Sequence, residues 1–229
     1  MAAVLGYPDG EAIPRELMLE AVARIAGAVS VPVTADLEAG YGDSPEAAAR
    51  TARDALAAGA VGMNLEDGTG GSSGALVDPA LHADKIRAAR EAAGDVHLVI
   101  NARVDVYLRG AGDPTERLEH TIRRASAYRR AGADCIFVPG VTNGETIAHL
   151  VEAIDAPLNI LAGPGTPPVA ELESLGVTRV SIGSGAMRAS AAATRRVADE
   201  LLGLGTFSFA AEALPSAELE RLLTGAQSS

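Results

Sequence analysis

Asp36, Glu38, Glu66, Arg103 and Asp105 are the residues whose types and spacing could do chemistry. Asp36 and Glu38 close the otherwise apolar stretch VPVTADLEAG (31–40), two residues apart and so on one face of an extended chain. Like charges placed this way repel one another and resist desolvation, which raises a carboxyl pKa unless a cation offsets it. Carboxylates clustered without histidine or cysteine suit a hard divalent cation, Mg²⁺ or Mn²⁺. Arg103 offers a planar fork for a substrate carboxylate. Its ordinary role, counter-ion to Asp105 or Glu66, stands equally open. Any one strand-end acid alone is more often solvated or a helix cap.

Three short runs must position these groups. On 31–38, Val31, Val33, Ala35 and Leu37 oppose Thr34, Asp36 and Glu38. On 61–67, Val61, Met63 and Leu65 oppose Gly62, Asn64 and Glu66. On 97–105, Leu98, Ile100, Ala102 and Val104 oppose Asn101, Arg103 and Asp105. Each run has an apolar face for helices and a polar face charged at its C-terminal end, where β/α barrels carry their active sites. That agreement between three strands considerably reduces the weight of the ordinary reading of each acid.

Further strands are expected at 135–140, 157–163 and 177–183, and a helix from Pro14 to about Val29. The six starts (31, 61, 97, 135, 157 and 177) lie 20 to 38 residues apart, the length of a βα unit rather than a hairpin. Four of the five stretches between strands open on Ser-Pro, Asp-Pro or Thr-Pro, an N-cap before a proline at the first helical position. The pattern predicts one α/β domain over 1–229, a parallel sheet covered by helices. A (β/α)8 TIM-type barrel leads and a doubly wound open sheet follows. Only six of eight barrel strands can be counted, so either two are missing or the sheet is not closed.

The 229 residues are 48% apolar, enough for a sizeable core, and the formal charge is 19 − 30 = −11. No basic run is interleaved with aromatics and tryptophan is absent, which argues against a nucleic-acid partner. No apolar run of membrane-spanning length and no leader is evident, so a soluble, cytoplasmic protein with no membrane partner is expected. The single cysteine, Cys135, reads as a small core residue. His82, His97, His120 and His149 are scattered, without metal-ligand spacing.

TADLEAGYGD, MNLEDG and VINARVDVYL, with LGYPDGE near the start and IRRASAYRRAGADCIFVPGV further on, resemble the isocitrate lyase/phosphoenolpyruvate mutase superfamily, mostly its shorter members. The resemblance runs from about Leu5 to about Arg195. It implies a β/α barrel whose last helix, here about 216–224, is exchanged between subunits of a homodimer or homotetramer. It implies chemistry on small 2-oxo acids or related carboxylates, making or breaking C–C or C–P bonds through an enolate held on Mg²⁺. By position, Asp36 matches the direct metal ligand, and Glu38 and Glu66 match ligands acting through metal-bound water. Asp9 matches an acid near the same site, and Arg103 matches the arginine that holds the substrate carboxylate. The resemblance thus points to Arg103, Glu66 and Asp9 as catalytic, with Asn101 on the same polar face as a substrate contact.

Two departures qualify it. The lyases carry a K-[KR]-C-G-H loop after the L-E-D strand, where this chain has GTGGSSGALVDP (68–79), without cysteine, lysine or histidine. Cleavage of isocitrate or methylisocitrate by that route is therefore not expected, although Thr69, Ser72 and Ser73 could orient a water or a substrate oxygen. The family's opening strand, helix and second strand also have no counterpart, so the chain looks like a member shortened at its start. The leading expectation is a Mg²⁺-dependent lyase or hydrolase acting on an oxaloacetate-like or phosphonopyruvate-like acid. A barrel enzyme of a phosphorylated substrate, using AGPGTP (162–167) and IGSGAM (182–187), and an inactive truncated member are the alternatives.

Overall fold

A computed structural model describes residues 1–69 and 75–225. Six parallel strands, β1 (Thr34–Asp36), β2 (Gly62–Glu66), β3 (Val99–Arg103), β4 (Cys135–Val138), β5 (Leu158–Leu161) and β6 (Arg179–Ser181), lie side by side in sequence order. Eight helices accompany them among the described residues. They are α1 (Arg15–Ala28), α2 (Pro45–Ala57), α3 (Pro79–Ala92), α4 (Arg117–Arg130), α5 (Gly144–Ala153), α6 (Val169–Ser174), α7 (Gly185–Gly203) and α8 (Ser216–Gly225). The arrangement is a curled half-barrel of the TIM type. β1 and β6 remain edges, yet Arg179 on β6 donates from Nη2 to Thr34 Oγ1 on β1 at 3.1 Å, across the open side.

The caps read from sequence hold for two of the proline starts. Ser44 Oγ accepts from Ala47 N–H, and Asp78 Oδ1 accepts from Ala80 and Leu81 N–H. Asp113-Pro114 starts a turn instead: Asp113 accepts from the Thr115 N–H at 2.8 Å, and α4 begins only at Arg117. Thr166 does not cap α6, because its hydroxyl accepts from the Gly163 N–H at 3.0 Å. The 19-residue α7 has no signal in the preceding reading. It buries none of its residues, so it lacks an apolar stripe directed at this core.

The outer sheet face packs as alternation requires. Ala35, Leu37, Met63, Leu65, Ile100, Ala102 and Val104 are buried against helices whose inner faces are alanine-rich, as in Ala48, Ala52 and Ala55 of α2. Small side chains bring α2 and α3 close together. Cys135 is buried as expected, but register places it beside Asn101 on the inner face, not in the helix layer.

His82 on α3 is fully buried, edge-on to Tyr128 with centroids 4.6 Å apart. Burial lowers its pKa to about 3, and the cations Lys85 and Arg124 push the same way. A depressed folded-state pKa leaves stability complete above the ordinary value of 6.5 and removes it as pH falls below that, because the unfolded chain takes up the proton. Between pH 6.5 and 5 the wild type should lose about 2 kcal/mol more than His82→Phe, at about 1.4 kcal/mol per pH unit. Urea midpoints at the two pH values measure this, and parallel losses would refute it.

Candidate active site

The β1–α2 connection is contorted in order to present its acids. Glu38 and Tyr41 have φ of 50° and 56°, a left-handed conformation that costs a non-glycine residue about 1 kcal/mol or more. Gly40 between them has φ of 96°, and a Cβ there would meet Leu65 Cδ1 at 2.9 Å. Buried side chains hold this backbone from below. Lys85 Nζ on α3 donates to the carbonyls of Ala39 at 2.5 Å and Gly42 at 2.9 Å, and Thr51 Oγ1 donates to the Gly40 carbonyl at 2.8 Å. From above, Glu38 Oε2 accepts from the Glu11 N–H, and Glu11 Oε1 accepts from the Tyr41 N–H. Burial raises the Glu38 carboxyl pKa, with the charges of Asp9 and Asp36 adding to it.

At the end of β2 the two acids of LEDG part company. Glu66 turns to the inner face and meets its register partner Arg103, with Nη1 to Oε2 at 2.5 Å. Asp67 turns to the helix layer, where it is fully buried. It accepts from Arg124 Nη1 at 2.9 Å, from the Tyr128 hydroxyl at 2.6 Å and from the Asp105 N–H at 2.8 Å. Asp105 grips the other edge of Arg103, accepting from Nε at 2.6 Å and Nη2 at 3.0 Å. Burial lifts the Glu66 pKa to about 8 despite Arg103, with Asp105, Asp36 and Glu38 pushing further upward. Burial works against the charge of Arg103, but Glu66 and Asp105 outweigh it and keep the guanidinium protonated.

Of these groups, Glu11, Glu38, Glu66, Lys85 and Arg103 wall a cavity of about 770 Å³. Of the residues expected from sequence, Asp9, Glu38, Glu66, Thr69 and Arg103 line it. Asp36 is exposed on the wall of an adjoining cavity of about 190 Å³, which shares Asp9 and Glu38 with the first. Asn101 lies two residues below Arg103 and off the cavity wall, buried with its Nδ2 donating to Asn64 Oδ1 at 2.7 Å. Ser72 and Ser73 lie outside the described residues. The glycine-rich loops at 162–167 and 182–187 are not part of the larger cavity's wall.

Sequence reading missed four groups that shape this cavity. Lys85 was legible, being a lysine on the same helical face as Ile86 and Ala89. Arg109, four residues after Asp105, gave only an i,i+4 charge pairing, which alone is weak. Glu11 and Asp43 sit in loops, where no periodicity marks them.

The donor chemistry fits a hard divalent cation. Six acids on the wall (Asp9, Glu11, Glu38, Asp43, Glu66 and Asp78) outnumber three cations (Lys85, Arg103 and Arg109). Among the described residues no three acids, histidines or cysteines converge tightly enough to ligate one ion together. One direct ligand, with neighbouring acids reaching the ion's waters, does not require such convergence.

A curled parallel half-barrel with acids and an arginine at the strand ends defines a β/α-barrel enzyme. The sequence profile of the phosphoenolpyruvate phosphomutase family matches residues 1–202, and the chain belongs to that family, within the isocitrate lyase/phosphoenolpyruvate mutase superfamily of lyases and mutases. It is 33% identical over 224 residues to an oxaloacetate decarboxylase of Bradyrhizobium sp. strain BTAi1, covering 95% of this chain and 75% of that one. It is 32% identical over 215 residues to the 2-methylisocitrate lyase of Escherichia coli K12, covering 90% and 71%. A crystal structure of phosphonopyruvate hydrolase with oxalate and Mg²⁺ superposes with a TM-score of 0.83 at 29% identity, covering 99% of this chain and 80% of that one.

Proposed function

We propose that the protein is a Mg²⁺- or Mn²⁺-dependent lyase or hydrolase that breaks the C–C or C–P bond of a small 2-oxo acid of the oxaloacetate or phosphonopyruvate kind. One observation carries the reading: Glu66 and Arg103, paired in register, put a carboxylate cluster and an anion fork on one wall of the same cavity. The relatives' activities and the hydrolase's oxalate and Mg²⁺ support it.

Asp36 would hold the cation, with Glu38, Glu66 and Asp9 around it. The cation would supply Lewis-acid stabilisation of the negative charge that develops on the 2-oxo group as the bond breaks. Arg103 orients the substrate carboxylate. Asp105 fixes the plane of that guanidinium through its two-point grip and Glu66 holds Nη1, which leaves one N–H on each of Nη1 and Nη2 for the substrate. The loop and the α3 lysine keep Glu38 turned inward.

Pyruvate release from oxaloacetate and from phosphonopyruvate tests the reading, with Mg²⁺ and with chelator. Turnover of one of them at about 1 s⁻¹ or faster, lost on chelation, is expected; no Mg²⁺-dependent release from either would sink it. 2-Methylisocitrate and isocitrate belong in the same assay. The 68–79 loop has no cysteine, lysine or histidine, so their cleavage should run about 10²- to 10⁴-fold below the better substrate, the usual contribution of a general acid. Comparable rates would show that another group supplies the proton.

We also propose a homo-oligomer, dimer or larger. Leu202 and Leu204 at the end of α7 are 89% and 83% exposed, and Leu219, Leu222 and Leu223 of α8 are exposed as well. A ten-residue helix is not stable alone in water, so its leucine face needs a partner surface. Light scattering should show a dimer or larger for the intact chain and a smaller species for a chain ending at Leu214. A monodisperse monomer from the intact chain would refute this.

A further inference from the structure

Two arginines of the helix layer hold opposite ends of β3. At its start, Arg90 on α3 donates from Nη1 to the Leu98 carbonyl at 2.6 Å. Arg90 also pairs with Asp134, whose Oδ2 accepts from the Ile100 N–H at 2.8 Å. At its end, Arg124 on α4 pairs with Asp67, whose Oδ1 accepts from the Asp105 N–H at 2.8 Å. Both ends use a helix arginine, an aspartate and a backbone amide in or just after the strand. Only the second stands at the strand ends that carry the cavity.

Arg124 is 5% exposed and off the cavity wall, yet its contacts lead there. Nη1 donates to Asp67 Oδ2 and to the Val77 carbonyl, each at 2.9 Å, and Val77 lines the cavity. Nε donates to His120 Nε2 at 3.0 Å, one turn back on the same helix. Asp67 in turn brackets Arg103. Its N–H donates to the Arg103 carbonyl at 3.2 Å, and its carboxylate fixes the amide of Asp105, whose own carboxylate grips Arg103 at Nε and Nη2. A counter-ion for Asp67 would need only the ion pair. The guanidinium reaches the Val77 carbonyl as well, so it sets Asp67 and the returning end of the 68–79 loop against each other. We infer that Arg124 is a positioning residue for the active site: from behind the sheet it fixes Asp67, through Asp67 it sets Asp105, and through Asp105 the plane in which Arg103 meets the substrate carboxylate.

The inference rests on the reading of Arg103 as the substrate's fork, and its test sets KM against kcat. A contact made equally in ground and transition states appears in KM, whereas a destabilised fold lowers the folded fraction and so kcat alone. Arg124→Lys keeps the charge and loses the planar fork. With Mg²⁺ and the substrate that the wild type turns over, it should raise KM about tenfold and leave kcat within about threefold. Arg90→Lys, at the far end of the same strand, should leave KM within about twofold whatever stability it loses. In an Arg103→Lys background, Arg124→Lys should change KM by less than about twofold, because the group it positions is gone. An unchanged KM, or the same rise in both backgrounds, would overturn the proposal.

His120→Ala removes the acceptor of the Arg124 Nε–H at a half-buried position and should raise KM about threefold. Where Arg124→Lys does not fold, His120→Ala decides alone, and an unchanged KM there overturns the proposal. If the wild type turns over neither oxaloacetate nor phosphonopyruvate, the 2-oxo acid reading fails by itself. The Arg103 Nε–H resonance, identified by its loss in Arg103→Lys, still reads the positioning. Its hydrogen exchange should be about tenfold faster in Arg124→Lys than in the wild type or Arg90→Lys, and equal rates would overturn the assignment.

Discussion

Asp67→Asn should lower unfolding free energy by about 3–5 kcal/mol, the usual consequence of removing one partner of a buried ion pair. Arg124 is 5% exposed, and Asp67 is its ion-pair partner at 2.9 Å. With asparagine there, the guanidinium stays buried beside a neutral amide. The same carboxylate also accepts from Tyr128 and from the Asp105 N–H, so β2, β3 and α4 are tied through one residue. Burial raises the Asp67 pKa, working against the hydrogen bonds from Tyr128 and the Asp105 N–H and the charge of Arg124, which lower it. The neighbouring Glu66→Gln should differ sharply, with stability within about 1 kcal/mol of wild type. Its charge is already disfavoured by burial, and Arg103 keeps Asp105 when it is gone. Denaturant unfolding of both variants measures the contrast. An Asp67→Asn protein no less stable than Glu66→Gln would refute the structural role.

That contrast also shows what alternation along a strand can and cannot reveal. Parity separated Glu66 from Leu65 and placed Asp36, Glu66 and Arg103 on one face, because a buried parallel strand has two non-equivalent sides and the apolar residues declare the helix side. The order of the six strands came from the structure, whereas the strands themselves were legible from their short apolar runs at βα spacing. Strand ends were not, since hydrogen bonding stops where the backbone leaves the sheet: the run 31–38 yields only Thr34–Asp36. Parity also says nothing of depth. Asn101 shares the face of Arg103 but sits two residues lower, where its partner is Asn64 rather than the cavity. Groups that reach the site from turns, such as Glu11 and Arg109, obey no period. Their positions follow from left-handed backbone and from glycines that leave them room, and these are tertiary facts.

Asp36→Ala should weaken Mn²⁺ binding by about 100-fold or more. Loss of a group that only supports a metal ligand costs about 10- to 100-fold in typical metal sites, and Asp36 is proposed as the direct ligand. The acids around it make the effect readable through a second quantity of opposite sign. Asp36 raises the pKa of both Glu38 and Glu66, so without metal its removal relieves repulsion. It is exposed on the edge strand, and the hydrogen bond it accepts from the Glu38 N–H, at 3.4 Å, is a marginal one. The metal-free variant should therefore melt at or slightly above the wild-type temperature. Added Mn²⁺ should raise the melting temperature of the wild type, by about 2.7 kcal/mol in free energy at 100 times its Kd, and leave the variant where it was. Asp84→Ala, which removes an exposed acid paired with Arg87 on α3, should respond to Mn²⁺ as the wild type does. If Asp36→Ala binds Mn²⁺ as tightly as wild type in calorimetry, the cation is held elsewhere and the assignment of Asp36 falls.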